Sequence, residues 1–523
     1  MNPITPIIRT TQTYLPASTV TPGNAVKAAS ATAASSKVSI GQSPPSTDIG
    51  IYNAKGTLGS GQVRYVWEHD GIDRLSLNMY SAIQSSSTAS RFQGLGAALL
   101  EQLAANGGQR ISQSGLAIDS ATATEPMLLG LQQARLREFA TDSVTFTLNT
   151  ASGATVSLGL YNSDRGLAVD AEVLGGNLTA GELDGLTKMA DSFQGALNGL
   201  AQDPPGLKLG ALVKLDPALF TGLQFKAQLE TAGGARQTFA LQMDEHTRSL
   251  ELQAPSGNVK MNFDTQGGTL LGSEAQRQAA VSNYLTQFDA AQQRGNGNEQ
   301  LMTLFKDAFR QLNSVDDAAL RPANHDTWLN KTSRLLLSGM ADFNASLTTP
   351  EQRTNPMRPH EIDSFDYTVS QTTTRNGGAA NLSLQQDQQS TLKASWHESL
   401  NPWVELQLTL DSKSQDYRYH EVHDQASSST RIGFVNNVLV EATATQQASQ
   451  QERVRTYQQA ELQSDMTTSA SAAQSRDLLD MLDEFLAQDR QARRLGLGSR
   501  LEQQVQSLRN LWLLQSNPAL IDD

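Results

Sequence analysis

The sequence predicts an α+β fold in which two antiparallel β-sheet regions are each flanked by helices, with a disordered N-terminal head and a C-terminal helical hairpin. Three observations carry that expectation. Residues 219–264 and 362–445 alternate apolar and polar side chains between short turn signals, the pattern of antiparallel strands with one buried face. Residues 273–346 and 478–512 carry apolar residues at helical spacing instead. Residues 1–60 are rich in Ser, Thr, Ala, Pro and Gly and sustain neither period.

The elements follow in order. A head over 1–60 leads into an α+β domain over 61–270. There Gln62–Trp67 reads as a strand, and Arg74–Tyr80 as a second strand or a helix start. Arg91–Ala105 reads as a helix with Phe92, Leu95, Leu99 and Leu103 on one face; Asn106, Gly107 and Gly108 are its stop signal. A further helix spans Glu125–Phe139. Val144, Phe146 and Leu148 alternate with polar residues up to a turn at Ala151-Ser152-Gly153, which predicts a hairpin. Thr179 with Glu182 three residues on is a capping box, opening a helix that Pro204 and Pro205 stop. Residues 271–347 read as a helical segment in which Trp328, Leu335, Leu336 and Phe343 suggest a third helix. The prolines at 350, 356 and 359 mark a linker over 348–361. A second antiparallel region occupies 362–465, with Val404, Leu406, Leu408 and Leu410 continuing its alternation. Helices close the chain over 466–523, where Leu482, Phe485, Leu508 and Trp512 form a seam that is either a partner-docking surface or a cover for the second sheet.

Composition narrows the function. The chain has 523 residues, no cysteine, and a net charge of −13. Thiol chemistry and cysteine-ligated metals are therefore excluded. Acidity without a basic stripe argues against nucleic acid as a partner. No apolar run is long enough for a transmembrane helix. Uncharged polar residues dominate, with 48 Gln, and the solvent faces of the strands are Thr, Ser and Gln rather than charge.

No motif specifies a reaction. Gly94-Leu95-Gly96-Ala97 touches a dinucleotide fingerprint but lacks the preceding strand and the third glycine. Neither a phosphate-binding loop nor a Gly-x-Ser-x-Gly elbow occurs. No catalytic or cofactor-binding residue is assigned, and no cofactor is expected. The densest acid and imidazole cluster is His360, Glu361, Asp363 and Asp366. It is a weak metal candidate whose plainer reading is a solvated strand start after a proline-rich linker. His420 and His423, three apart on a strand, point to opposite faces. Trp396, Trp403, Tyr417 and Tyr419 are a candidate carbohydrate-stacking face or simply sheet packing.

The head differs from the remainder in charge. No acid precedes Asp48, while Arg9, Lys27 and Lys37 make it positive. An acid-poor, Ser/Thr/Pro-rich head resembles type III export signals, including those of flagellar substrates. Together with the absence of cysteine, the uncharged polar composition and the lack of catalytic motifs, that resemblance points to a non-enzymatic exported, envelope-associated or cell-surface interaction protein with a protein partner. Flagellins themselves carry long helical heptads at both termini, and this chain does so at neither. The alternatives are a cytoplasmic scaffold or regulatory protein docking through its C-terminal helices, and an unrecognised hydrolase or metal-dependent enzyme near His360–Asp366 or His397–His423.

Overall fold

A computed structural model describes residues 64–521, apart from 86, 119–125, 203, 232, 266–270, 314–330, 379, 498 and 500. The head expected over 1–60 lies outside the described residues, which belong to the second of two compact units, residues 61–523. The first part of that unit contains β1 (Arg64–Trp67), α1 (Arg74–Ala82), α2 (Thr88–Arg91), α3 (Leu95–Ala105), β2 (Ile111–Ile118) and α4 (Pro126–Glu138). Next come β3 (Asp142–Thr150), β4 (Thr155–Ser163), β5 (Gly166–Leu174), α5 (Ala180–Leu200), β6 (Phe220–Glu230), β7 (Arg236–Met243), β8 (Thr247–Ala254) and β9 (Gly257–Asp264). Helices α6 (Glu274–Arg294), α7 (Glu299–Leu312) and α8 (Lys331–Arg334) precede β10 (Asp342–Thr348), β11 (Ser364–Asn376), β12 (Ser383–Ser399), β13 (Tyr417–Val435), β14 (Val438–Gln458) and β15 (Glu461–Asp477). The chain closes with α9 (Leu478–Arg494) and α10 (Leu501–Ser507).

The fold is α+β, but the strands form one antiparallel sheet of 15 strands rather than two sheet regions, in the order β1-β2-β5-β4-β3-β6 and then sequentially to β15. The join is β10. It pairs with β9 from Asp342 opposite Asp264 to Thr348 opposite Asn258, and with β11 along its other edge. Phe343, expected in a helix, is a strand residue, buried with Ala345 and Leu347 while Asn344 faces out. Seven residues of period 2 are easily absorbed into a neighbouring helical pattern, and only the free edges of β9 and β11 decide the matter.

Three further segments depart from the expected elements. Residues 400–416 form a loop despite their alternation. Their flanks already pair, Ser399 opposite Tyr417, so no neighbouring edge is left for a strand between them. Trp403 is 92 % exposed as a result. Residues 466–477, expected as the start of the helical hairpin, belong to β15, where pairing with β14 overrides the helix propensity of an Ala-rich stretch. Strand β2, between two helices, carries no clear strand signal in the sequence, because Ser112, Gln113 and Ser114 interrupt its apolar pattern. Arg74–Tyr80 resolves as helix, capped by the Asp73 carboxylate accepting from the Ser76 N–H at 2.9 Å.

Local signals hold where they are strongest. The capping box at α5 is present in both directions, with Glu182 accepting from the Thr179 N–H at 2.7 Å. Burial pushes the Glu182 carboxyl up, but these bonds outweigh it and hold the group down to about 2. The two longest hairpins turn on Asn436-Asn437 and Gln459-Ala460, all four with positive φ, as two-residue turns matched to strand twist require.

Most of the core lies on one face of the sheet. Helices α3, α5, α6 and α7 cover it, and Tyr284, Phe288, Phe305, Phe309, Phe343 and Tyr367 form a linked set of ring contacts there. A second cluster sits further along the strands, where α9 and α10 pack on Leu384, Ile432, Ala442 and Ala444. Among the described residues the opposite, outer face is open over β6 to β10 and forms a polar hollow of about 440 Å³ lined by Gln224, Gln242, Glu251, Lys260 and Asn344. It is covered in two places: by α4 over β2, β4 and β5, and by residues 349–363 near the β12–β13 hairpin opening. Among the described residues no helix is long and apolar enough to cross a membrane.

Candidate functional site

Two features could carry function: a buried ionic cluster on the outer face, and the free edge of the sheet at β15. The cluster is built by strand register. His397 on β12 stands opposite Tyr419 on β13, which stands opposite Arg455 on β14; Tyr417 stands opposite Tyr457. Alternation puts all of them on the outer face. Residues 352–363 lie across them as a strap, tied at its end by a bridge between Gln352 and Asp363.

The strap brings Glu361 and Asp363 to the two nitrogens of one imidazole. Asp363 Oδ1 is 2.5 Å from His397 Nδ1, and Glu361 Oε2 is 3.3 Å from His397 Nε2. The His397 ring is 1 % exposed and Glu361 fully buried. The Tyr417 hydroxyl donates to Glu361 Oε2 at 2.6 Å, and Arg455 Nη1 lies 3.5 Å from Oε1. Asn355 Nδ2 donates to the Tyr417 oxygen at 2.9 Å and to Gln415 Oε1 at 2.8 Å. Arg358 lies over the Tyr457 ring at 4.1 Å and donates to the Ala460 carbonyl at 2.7 Å.

Burial pushes the Glu361 carboxyl up, but bonds from His397, Tyr417 and Tyr457 and the Arg455 charge hold it below its ordinary value. Burial pushes His397 down, and its two carboxylate partners outweigh this and raise it. Burial and the Glu361 charge raise the Tyr417 hydroxyl. An imidazole held at both nitrogens by carboxylates keeps no free lone pair with which to take a proton from a substrate. The arrangement is therefore a clamp that seats the strap on the sheet.

The sequence-derived candidates distribute as follows. Glu361 and Asp363 converge on His397, while His360 and Asp366 are exposed. Among the described residues no group of three or more His, Asp or Glu is arranged to hold a metal ion. His420 faces inward, stacked on Trp396 at 4.5 Å and bonded to Glu452 at 3.0 Å; His423 is exposed. Trp396 thus lies on the opposite face from Tyr417 and Tyr419, and the four aromatic residues do not share a surface. Leu482 and Trp512 are buried in the second core, with Phe485 and Leu508 packed against it, so this seam covers the chain's own sheet. No sequence spacing marks His397, Arg455, Arg358 and Asn355 as a cluster. They lie up to a hundred residues apart, and only strand register unites them.

The sheet edge is the second feature. Strand β15 has 17 residues and pairs only with β14 among the described residues. Its register shifts between Thr456 and Tyr457, and from Ser464 to Asp477 it runs regular. No Pro and no Lys occurs in it, Met466–Ser475 is uncharged, and its side chains are exposed except Ser464, Ala472, Gln474 and Arg476. Long flat edges with free N–H and C=O groups are ordinarily blunted by proline, lysine or bulges, because they recruit further strands. The opposite edge, β1, has only four residues.

No known protein family, no curated protein and no solved structure matches the chain.

Proposed function

We propose that this protein is a non-enzymatic interaction protein that takes an extended segment of a protein partner as an added strand on β15. The observation carrying the reading is the regular, uncharged free edge from Met466 to Ser475. Strand addition draws affinity from main-chain hydrogen bonds and selectivity from alternate side chains, and needs no pocket. The clamp at His397 is consistent with it, since both imidazole nitrogens are occupied. The acid-poor head supports an exported or envelope-associated site of action, with type III export as the route.

Successive residues on an edge strand direct their N–H groups alternately inward to the ladder and outward. Of Thr468→Pro and Ser469→Pro, one removes an outward N–H and leaves the β14 ladder intact. The variant with wild-type thermal stability is expected to lose partner capture from cell extracts, while an exposed-face change such as Asn344→Asp keeps it. Undiminished capture by both proline variants would end the strand-addition reading. Fractionation of cells expressing the full chain and a version lacking residues 2–47 tests location: export of the former alone is expected, and retention of both in the cytoplasm refutes it.

A further inference from the structure

We infer that the strand added to β15 is β15 of a second copy, giving a two-fold dimer whose sheet runs continuously through both chains. This deepens the reading above and rests on β15 being a pairing edge. The register follows from symmetry. In an antiparallel pair about a two-fold axis, residues with outward-pointing backbone groups must meet their like, so one residue faces its own copy.

The candidate centres are the residues around the middle of the regular ladder from Ser464 to Asp477, and the sequence separates them. Centring on Ser469 uses the regular ladder only from Ser464 to Gln474, and centring on Ser471 opposes Asp465 to Asp477. Like charges directly opposite are destabilising. Centring on Thr468 avoids such pairs but uses the regular ladder only from Ser464 to Ala472, because the register shift lies just before Ser464. Centring on Ala470 pairs Ser464 with Arg476 and Asp465 with Ser475, and spans almost the whole regular segment without opposing like charges. It also sets larger against smaller side chains: Thr467 faces Ala473 and Thr468 faces Ala472. An acidic chain resists self-association through long-range repulsion. The absence of charge from Met466 to Ser475 keeps that repulsion away from the contact.

The chain contains no cysteine, so a single introduced thiol reports its own environment. Facing residues of an antiparallel pair have Cα atoms about 4.5–5.5 Å apart, within the range a disulfide spans. Ala470→Cys is expected to form a disulfide-linked dimer under mild oxidation at micromolar concentration. Ser475→Cys, whose copy lies roughly ten residues or ~34 Å along the strand direction, is not. The unmodified full chain is expected to sediment as a dimer. A monomer by sedimentation, with no cross-link from Ala470→Cys, overturns the proposal; so does equal cross-linking of both variants, which marks random collision. Either result leaves the wider reading standing when the proline variant still abolishes partner capture. Loss of both dimer and proline sensitivity removes the two together.

Discussion

Replacing Glu361 with Gln isolates the charge at the centre of the clamp while preserving its shape. The carboxylate accepts from Tyr417 at 2.6 Å and His397 at 3.3 Å and faces Arg455 at 3.5 Å. A hydrogen bond to a charged group contributes about 1.5–3 kcal/mol and a neutral one about 0.5–1.5, so two weakened bonds cost about 2–3 kcal/mol. Arg455 retains Glu421 at 3.1 Å, which limits the further loss. The expected total is about 3 kcal/mol, the lower end of what breaking a buried ion pair costs. Urea denaturation measures it globally, and amide exchange over residues 352–363 measures it at the strap.

The pH dependence follows from the two opposite shifts. Glu361 is lowered, so its contribution is present above its ordinary value of 4.5 and is lost as pH falls through the lower folded value. His397 is raised, so its contribution is present below 6.5 and is lost as pH rises through the higher folded value. The difference between the wild type and His397→Gln is therefore greatest between pH 4.5 and 6.5 and shrinks on the alkaline side. A Glu361→Gln cost below about 0.5 kcal/mol, the range of an ordinary surface substitution, would refute the clamp. A difference that grew as pH rose above 6.5 would do the same.

Other perturbations report on the frame around the site. Arg294→Met leaves Asp424, 7 % exposed and bonded at 3.0 Å, without its cation, and is expected to cost about 3 kcal/mol in urea denaturation. Phe288→Ala removes a ring in contact with Tyr284, Phe305, Phe309 and Tyr367 and should cost about 3–5 kcal/mol by the same measurement. Thr179→Ala removes one side of the capping box, and a loss of about 1 kcal/mol is expected in thermal unfolding. Glu182→Gln should flatten the acid limb of the stability profile between pH 4.5 and about 2, because a lowered carboxyl loses its contribution across that window. Ala460 holds φ at 70°, so Ala460→Gly should raise stability by about 1 kcal/mol, with the Arg358 bond to its carbonyl retained.

The clamp was half legible. Glu361 and Asp363 stood out as a dense acidic pair; they lie on the strap ahead of β11 rather than in a strand, and both reach His397 from there. The imidazole they share lies more than thirty residues away, on β12, and Arg455 further still on β14. The edge strand was hidden more completely, because Thr467–Ala473 has the composition of a helix or a loop and becomes strand only by lying along β14.

What the sequence by itself determined were the features set by neighbours along the chain. Helices α3, α4, α5, α6, α7 and α9, the hairpin of β3 and β4, and the meander of β6 to β9 all follow from periods, caps and turn residues within a few positions. Only the tertiary structure decided that β10 joins the strands into one sheet, that residues 400–416 stay out of it, that the C-terminal seam is turned inward, and that β15 is an edge among the described residues. The physical reason is that a strand's hydrogen-bonding groups are satisfied by another strand. Whether a segment finds such a partner depends on which edges are still free, and that is settled by the whole chain at once.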